Sequence, residues 1–552
     1  MNTTRLRMDI RFTKLGMREA WSMITNISVR VFSAVRRWTA HPARELMPSM
    51  ARTGTLLSLA RMAKGALVSF NPKRTKGDRV LKTKVLLSWL VVLVSSSWLC
   101  EEAQAIPPFA RKYGTSCQTC HVMIPKLNAF GEAFRLNGYK IAEGDAALVK
   151  EEPAALGAPA YTEMFPDAMW PSSIPGLPPI GVRVTSSIQR TRDETSRRRS
   201  DFVFPEEVAI LAGGRFDEHL GFLTEITFDK DGGAGIDQAN LFVNNFMSWA
   251  GVPEHALSAR IGKMDTQLLL SYNEPTKVGH AAPLWGDFSV GNWTLPDGAG
   301  GSVSPRNSFS LSESKAAVEL NGILARRFYW GAGLTTGTGS LDINHLDVYY
   351  KLKYKPFGRD FLGKFAADEE VSTASKPSGG WVDNGLLLEH FGYFGRSPAA
   401  PTPAGDTVDD RFWYLGGAAR WTPGDLDLAG GYIYGRHNRP WGALTTTATN
   451  VRTWFVKAEY MLYPWVMARA VYENIKVNEP DPTLLPVGPD DFAAVGYNGS
   501  LNARKLLVGP IFSPRANITV ALEAEIFLEH RGAELVGKNK PDNLWIRLDF
   551  AF

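Results

Sequence analysis

Cys117-Gln118-Thr119-Cys120-His121 brings two thiols and an imidazole together at a spacing that suits covalent haem attachment. Each thiol can form a thioether to a porphyrin vinyl group. The next residue then falls over the iron as the proximal ligand. The residues therefore read as a site for one haem c, with Cys117 and Cys120 as tethers and His121 on the metal. A zinc half-site would need further Cys or paired His nearby. The chain has one other cysteine, Cys100, and no second cluster. A redox dithiol is the remaining alternative for a C-x-x-C pair.

The other iron face is left open by the residues. Met123 lies two positions past His121 and cannot easily swing to the opposite side. Met164 and Met169, 43 and 48 positions beyond His121, have the reach for a sixth ligand. Each taken singly also reads as apolar packing. A histidine from elsewhere, such as His280, and an open position are the alternatives.

The elements around the motif are short. Gly114-Thr115-Ser116 forms a turn before it. Leu127, Phe130, Ala133 and Phe134 recur at helical spacing, giving an apolar face for the porphyrin. Asn137-Gly138 is a helix stop. Residues 106–150 thus form a small α-helical cytochrome segment. Residues 151–179 carry seven prolines and form an extended, semi-rigid linker.

Upstream lies a leader, residues 1–105. Lys82 and Lys84 precede a short apolar run, residues 85–94. Ala103-Gln104-Ala105 supplies a cleavage pattern after residue 105. The leader holds 18 Lys/Arg against 6 Asp/Glu, so the overall charge of +5 becomes −7 for the remainder. The basicity therefore belongs to a segment expected to be removed, and nucleic acid is not an expected partner.

From residue 180 the pattern changes to alternating stretches of about ten residues, the pattern of transmembrane barrel strands. In the last one Leu544, Ile546, Leu548, Phe550 and Phe552 share one face, and Trp545, Arg547, Asp549 and Ala551 the other. Asn517–His530 and Trp454–Tyr460 alternate likewise, and Tyr432, Tyr434, Tyr460, Tyr463 and Trp465 read as interfacial aromatics. Sixteen such stretches fit between residues 180 and 552, near 180–191, 206–216, 219–229, 239–249, 256–264, 313–324, 326–336, 345–356, 385–394, 411–421, 427–434, 452–462, 466–475, 503–512, 517–530 and 544–552. The reading is a mainly β chain: an antiparallel transmembrane β-barrel of about sixteen strands, preceded by the cytochrome segment. Tight turns alternate with long insertions at 265–312, 357–384, 395–410, 435–451 and 476–502, the outer-membrane plan. An even strand count returns both barrel ends to one side, and a sixteen-strand lumen has room for a small plug.

FARKYGTSCQTCH followed by PKLNAFGEAFRLNGY, ahead of a barrel ending in Phe, resembles the fused monohaem cytochrome–porins of iron-oxidising bacteria. The resemblance covers residues 109–139 in motif and the rest of the mature chain in architecture; the long leader departs from the family. It implies a bacterial outer-membrane protein in contact with lipid, with an oxidoreductase-like activity. Electrons from extracellular Fe(II) would pass through one haem to a periplasmic c-type cytochrome. Cys117, Cys120 and His121 carry over, and nothing else does. A transient cation site would want carboxylates. Lumen-facing Glu523, Glu525 and Glu529 are candidates, although such carboxylates read first as the ordinary polar lining of any barrel. Outward electron transfer and a porin with a haem-bearing plug are the competing readings. A haem peroxidase would need a distal histidine that the segment lacks.

Overall fold

The computed structural model describes residues 108–150, 180–192, 199–216, 219–270, 309–337, 346–363, 383–398, 409–440, 448–477, 502–530 and 542–552, with the pairs 154–155, 163–164, 173–174, 295–296 and 302–303. The apolar leader run 85–94 and the cleavage position after residue 105 lie outside the described residues.

Sixteen antiparallel strands close into a barrel. The strands are β1 (Ile180–Arg192), β2 (Arg199–Arg215), β3 (Leu220–Asp229), β4 (Ala234–Val243), β5 (Ser258–Met264), β6 (Lys315–Leu324), β7 (Phe328–Thr335), β8 (Asp347–Phe357), β9 (Leu386–Pro398), β10 (Asp409–Trp421), β11 (Leu426–His437), β12 (Thr449–Tyr463), β13 (Val466–Val477), β14 (Asn502–Arg515), β15 (Ile518–His530) and β16 (Asp542–Ala551). β16 pairs with β1, with Leu548 opposite Ser186. Val182 and Phe552 exchange two backbone hydrogen bonds of 2.8 Å. Both ends of the barrel therefore meet at one rim, here termed the terminal rim.

The alternation read from the sequence sorts residues as a membrane barrel requires. On β12, Thr453, Phe455, Lys457 and Glu459 are buried in the lumen, while Trp454, Val456 and Tyr460 are exposed outside. On β6, Glu319 and Asn321 point in, and Val318 and Leu320 point out. Phe216, Phe357, Trp421, Tyr463 and Trp465 are exposed around the terminal rim. An apolar outer band with aromatics at its edge is the surface of a transmembrane barrel.

Three expectations are corrected. The fourth strand runs over Ala234–Val243, not 239–249. The Asp231-Gly232-Gly233 turn starts it early, and Ala234 and Gly235 are too small to show alternation. β2 begins at Arg199, because Pro205 and the arginines before it hid the strand. The insertion 357–384 lies on the terminal rim, between β8 and β9, and not with the other long loops. Its described part, residues 358–363, folds into the lumen.

The lumen is partly filled. Residues 108–150 lie inside it as α1 (Pro108–Tyr113), a turn at Cys117–Thr119, a short hairpin (His121–Met123 with Lys126–Leu127), α2 (Ala129–Leu136) and α3 (Asp145–Leu148). Residues 265–270, which follow β5, also turn inward. Thr266 O accepts 2.8 Å from Lys351 Nζ, and Leu268 and Leu269 are buried. Phe309, Tyr393, Phe412 and Tyr414 stack beside them. Ala154–Ala155 pairs antiparallel with Ser173–Ile174; most of the linker, 151–179, lies outside the described residues.

Candidate cofactor site in the lumen

Helix α2 ends where the sequence says it should. Gly138 takes φ +72°, and Asn137 N–H caps Ala133 O. Its other end is built onto the Cys-x-x-Cys-His run. Asn128 caps the helix by accepting 2.9 Å from Gly131 N. The same amide donates to Thr119 O at 3.0 Å and Gln118 O at 3.2 Å. One side chain thus joins the helix start to the loop carrying Cys117 and Cys120. Gly131 makes the close approach possible, because a Cβ there would fall on the Cys120 carbonyl. Gly131→Ala is therefore expected to push α2 off the motif at a cost of about 1–3 kcal/mol. The check is limited proteolysis of residues 108–150, which should be faster than in the parent chain.

His121 is oriented by its own hairpin. Nδ1 lies 2.9 Å from Pro125 O, so Nδ1–H donates and Nε2 is left unprotonated in the neutral ring. Burial holds the imidazole below its ordinary pKa, opposed by the Pro125 carbonyl. A neutral ring is the form that binds a metal.

Cys117, Cys120 and His121 line a cavity of about 790 Å³ together with Leu127, Phe130 and Phe134. Cofactor sites span roughly 300–1,000 Å³, so the size fits a porphyrin. Of the helical face expected to cover it, Ala133 instead approaches Gly363 from the β8–β9 insertion. Phe109, Phe134 and Tyr139 pack as a box, with Phe109 and Tyr139 stacked at 5.2 Å. Tyr139 meets Phe242 of β4 edge-on at 5.5 Å. The barrel gives way to this box at Gly213, where a Cβ would come 2.6 Å from the Phe109 ring.

The thiol environment speaks against a reactive dithiol. Burial pushes Cys120 up to about 12 and raises Cys117 as well, whereas redox C-x-x-C pairs have depressed pKa values. Among the described residues no group of three His, Cys, Asp or Glu is arranged to hold a metal ion.

The segment is pinned to the barrel by buried charge. Lys126 Nζ lies 2.6 Å from Asp427 and also pairs with Glu459, all three at zero exposure. Glu132 pairs with Arg420. Burial would raise the Glu132 pKa, but Arg420 and its neighbouring cations hold it below the ordinary value. Asn137 Nδ2 donates 2.8 Å to Phe361 O, and Asp145 pairs with Arg215.

Of the proposed axial methionines, Met164 is not brought to the cavity. Met164 is 71% exposed and is not part of the lining. Met169 and His280 lie outside the described residues. Met123 packs against Met461, Met467 and Ile511, consistent with its exclusion. Of the carboxylates, Glu523 and Glu525 follow the polar-lining reading. Glu523 pairs with Arg469 at 2.7 Å, and Glu525 with Lys505 at 3.4 Å and Asn543 at 2.9 Å. They belong to the charge ladder of the lumen wall. The cavity is lined instead by Glu207, Glu225, Asp237, Asp265 and Glu313. The sequence reading missed these because no local spacing joins five different elements. Asn128 and Gly131 did carry local signals, a cap residue before an apolar run and a glycine inside a helical pattern.

No family model matches the chain, and no curated protein matches it. Solved structures resemble it in the barrel. OmpT from Vibrio cholerae, as a loop L8 deletion mutant, aligns at 11% identity and TM-score 0.41, covering 68% of this chain and 98% of that one. The outer membrane channel DcaP of Acinetobacter baumannii aligns at 9% and 0.42, covering 68% and 96%. An anion-selective porin from Comamonas acidovorans aligns at 12% and 0.41, covering 68% and 98%. Function is read from the site and not from these likenesses.

Proposed function

We propose that this chain is an outer-membrane electron conduit. It takes electrons from extracellular Fe(II) and delivers them to a periplasmic c-type cytochrome by way of one haem c in the barrel lumen. The observation that carries the reading is the seat of Cys117, Cys120 and His121 on a cavity of about 790 Å³ inside a closed barrel. Bound there, the haem would supply a one-electron carrier; Cys117 and Cys120 would tether it, and His121 Nε2 would ligate its iron. The Pro125 carbonyl holds the ring in the right tautomer. Leu127, Phe130 and Phe134 line the cavity and would help to exclude water from the bound group.

The cavity extends from Val182 and Phe552 at the terminal rim to Asp237, the fourth residue of β4 from the loop rim. Under this reading the terminal rim faces the periplasm. The seat therefore spans much of the distance an electron must cross, and no iron need enter the cell. Glu225, Asp237 and Glu313 line the cavity and would attract a divalent cation toward it.

The test is anaerobic stopped-flow of the oxidised, detergent-solubilised protein with Fe(II), following the haem α-band. Rapid reduction supports the reading. A haem reducible only by strong reductants sinks it and favours outward transfer. Glu225→Gln with Asp237→Asn should slow reduction by Fe(II) about tenfold at low salt, with the gap closing as salt rises. Reduction by a neutral small reductant should be unchanged.

A further inference from the structure

The lumen is closed unevenly. Toward β8–β15 it is closely packed by described residues: Lys126 with Asp427 and Glu459, Glu132 with Arg420 beside a void of only about 20 Å³, and the buried rings around Phe309 and Tyr393. Toward β1–β5 it is not. There the cavity of about 790 Å³ runs up the wall from Val182 and Phe552 past Gly213 and Leu211 to Glu207. From Gly213 to Glu207 along β2 is about 20 Å at ~3.4 Å per residue, against a hydrocarbon core of about 30 Å. The charged groups lining its far part are mainly acidic: Glu207, Glu225, Asp237, Asp265 and Glu313 against Lys263 and Arg135. Asp265 and Arg135 stand 3.8 Å apart, so they offset one another.

We propose that this lane is a latent cation pathway and that the group seated on Cys117, Cys120 and His121 is its seal. The protein segment alone does not fill the barrel; the segment and its cofactor do so together. Loss of the cofactor would then open a cation-selective leak through the outer membrane, even with Lys126 and Glu132 still locking the segment in place. The inference rests on the haem reading of the site.

The test uses the full chain in planar bilayers. The parent protein, shown by haem stain to carry covalent haem, should be silent. Cys117→Ser with Cys120→Ser should conduct and prefer K⁺ over Cl⁻. Added haemin, held by His121 without thioethers, should close it, and it should not close the triple variant that also carries His121→Ala. A silent serine variant, or a leak that haemin does not touch, overturns the proposal, the latter by pointing to an unseated segment. A partly unfolded barrel is recognised separately, by loss of heat-modifiable migration on gels. If the parent chain carries no covalent haem, the proposed function fails first. If it carries haem and the serine variant is silent, only the seal fails.

Discussion

A chain with Cys117 and Cys120 both replaced by serine is expected to lose all haem that survives denaturing electrophoresis, while its barrel still migrates as a folded species. The two outcomes separate because the two parts are stabilised differently. The barrel is closed by sixteen hydrogen-bonded ladders, none of which includes residues 117–121. The contacts of those residues with Asn128, Gly131 and the Pro125 carbonyl lie within residues 108–150. His121→Ala should behave differently again: covalent haem persists, but its optical spectrum loses the signature of a coordinated imidazole. Haem that stays on the serine variant after boiling in detergent would remove the basis for reading this motif as an attachment site. So would an unchanged spectrum in His121→Ala.

How much could be read beforehand follows from the range of each interaction. Strand alternation is a two-residue pattern, so β12, β15 and β16 were legible, with the lumen faces of Glu459, Glu523 and Asp549 correctly sorted. The Asn137-Gly138 stop is equally local. What failed depends on distant partners. Whether Glu523 is a free carboxylate or the partner of Arg469 is decided across strands, and nothing beside it in sequence says which. The acidic lining around Glu225 and Asp237 is assembled from β2 to β6 by barrel closure alone. The β4 boundary was lost where small residues erase the pattern. Lys126 pairs with Glu459 across 333 positions, so docking of the segment could be imagined from lumen size but not located.

That docking supports the second large prediction. Lys126→Ala should weaken seating of residues 108–150 by about 3 kcal/mol, the low end of the ~3–5 expected when one partner of a buried pair is removed. The low end applies because the stranded carboxylates keep other cations. Asp427 retains Arg420 at 3.1 Å, and Glu459 retains Lys457 at 3.2 Å and Arg469 at 3.3 Å. Adding Glu459→Gln to Lys126→Ala should recover part of the loss, since it lowers the negative charge left in the network once Lys126 is gone. Glu143→Ala breaks the pair with Arg326, whose side chains are 42% and 37% exposed; it should cost under about 1 kcal/mol. Limited proteolysis of the segment in urea, with the barrel still heat-modifiable, reads all three on one scale. If Lys126→Ala and Glu143→Ala were equally mild, the buried network would not be what holds the segment. Seating would then fall to the apolar contacts, Tyr139 on Phe242 and Val122 with Met123 on Met461 and Met467.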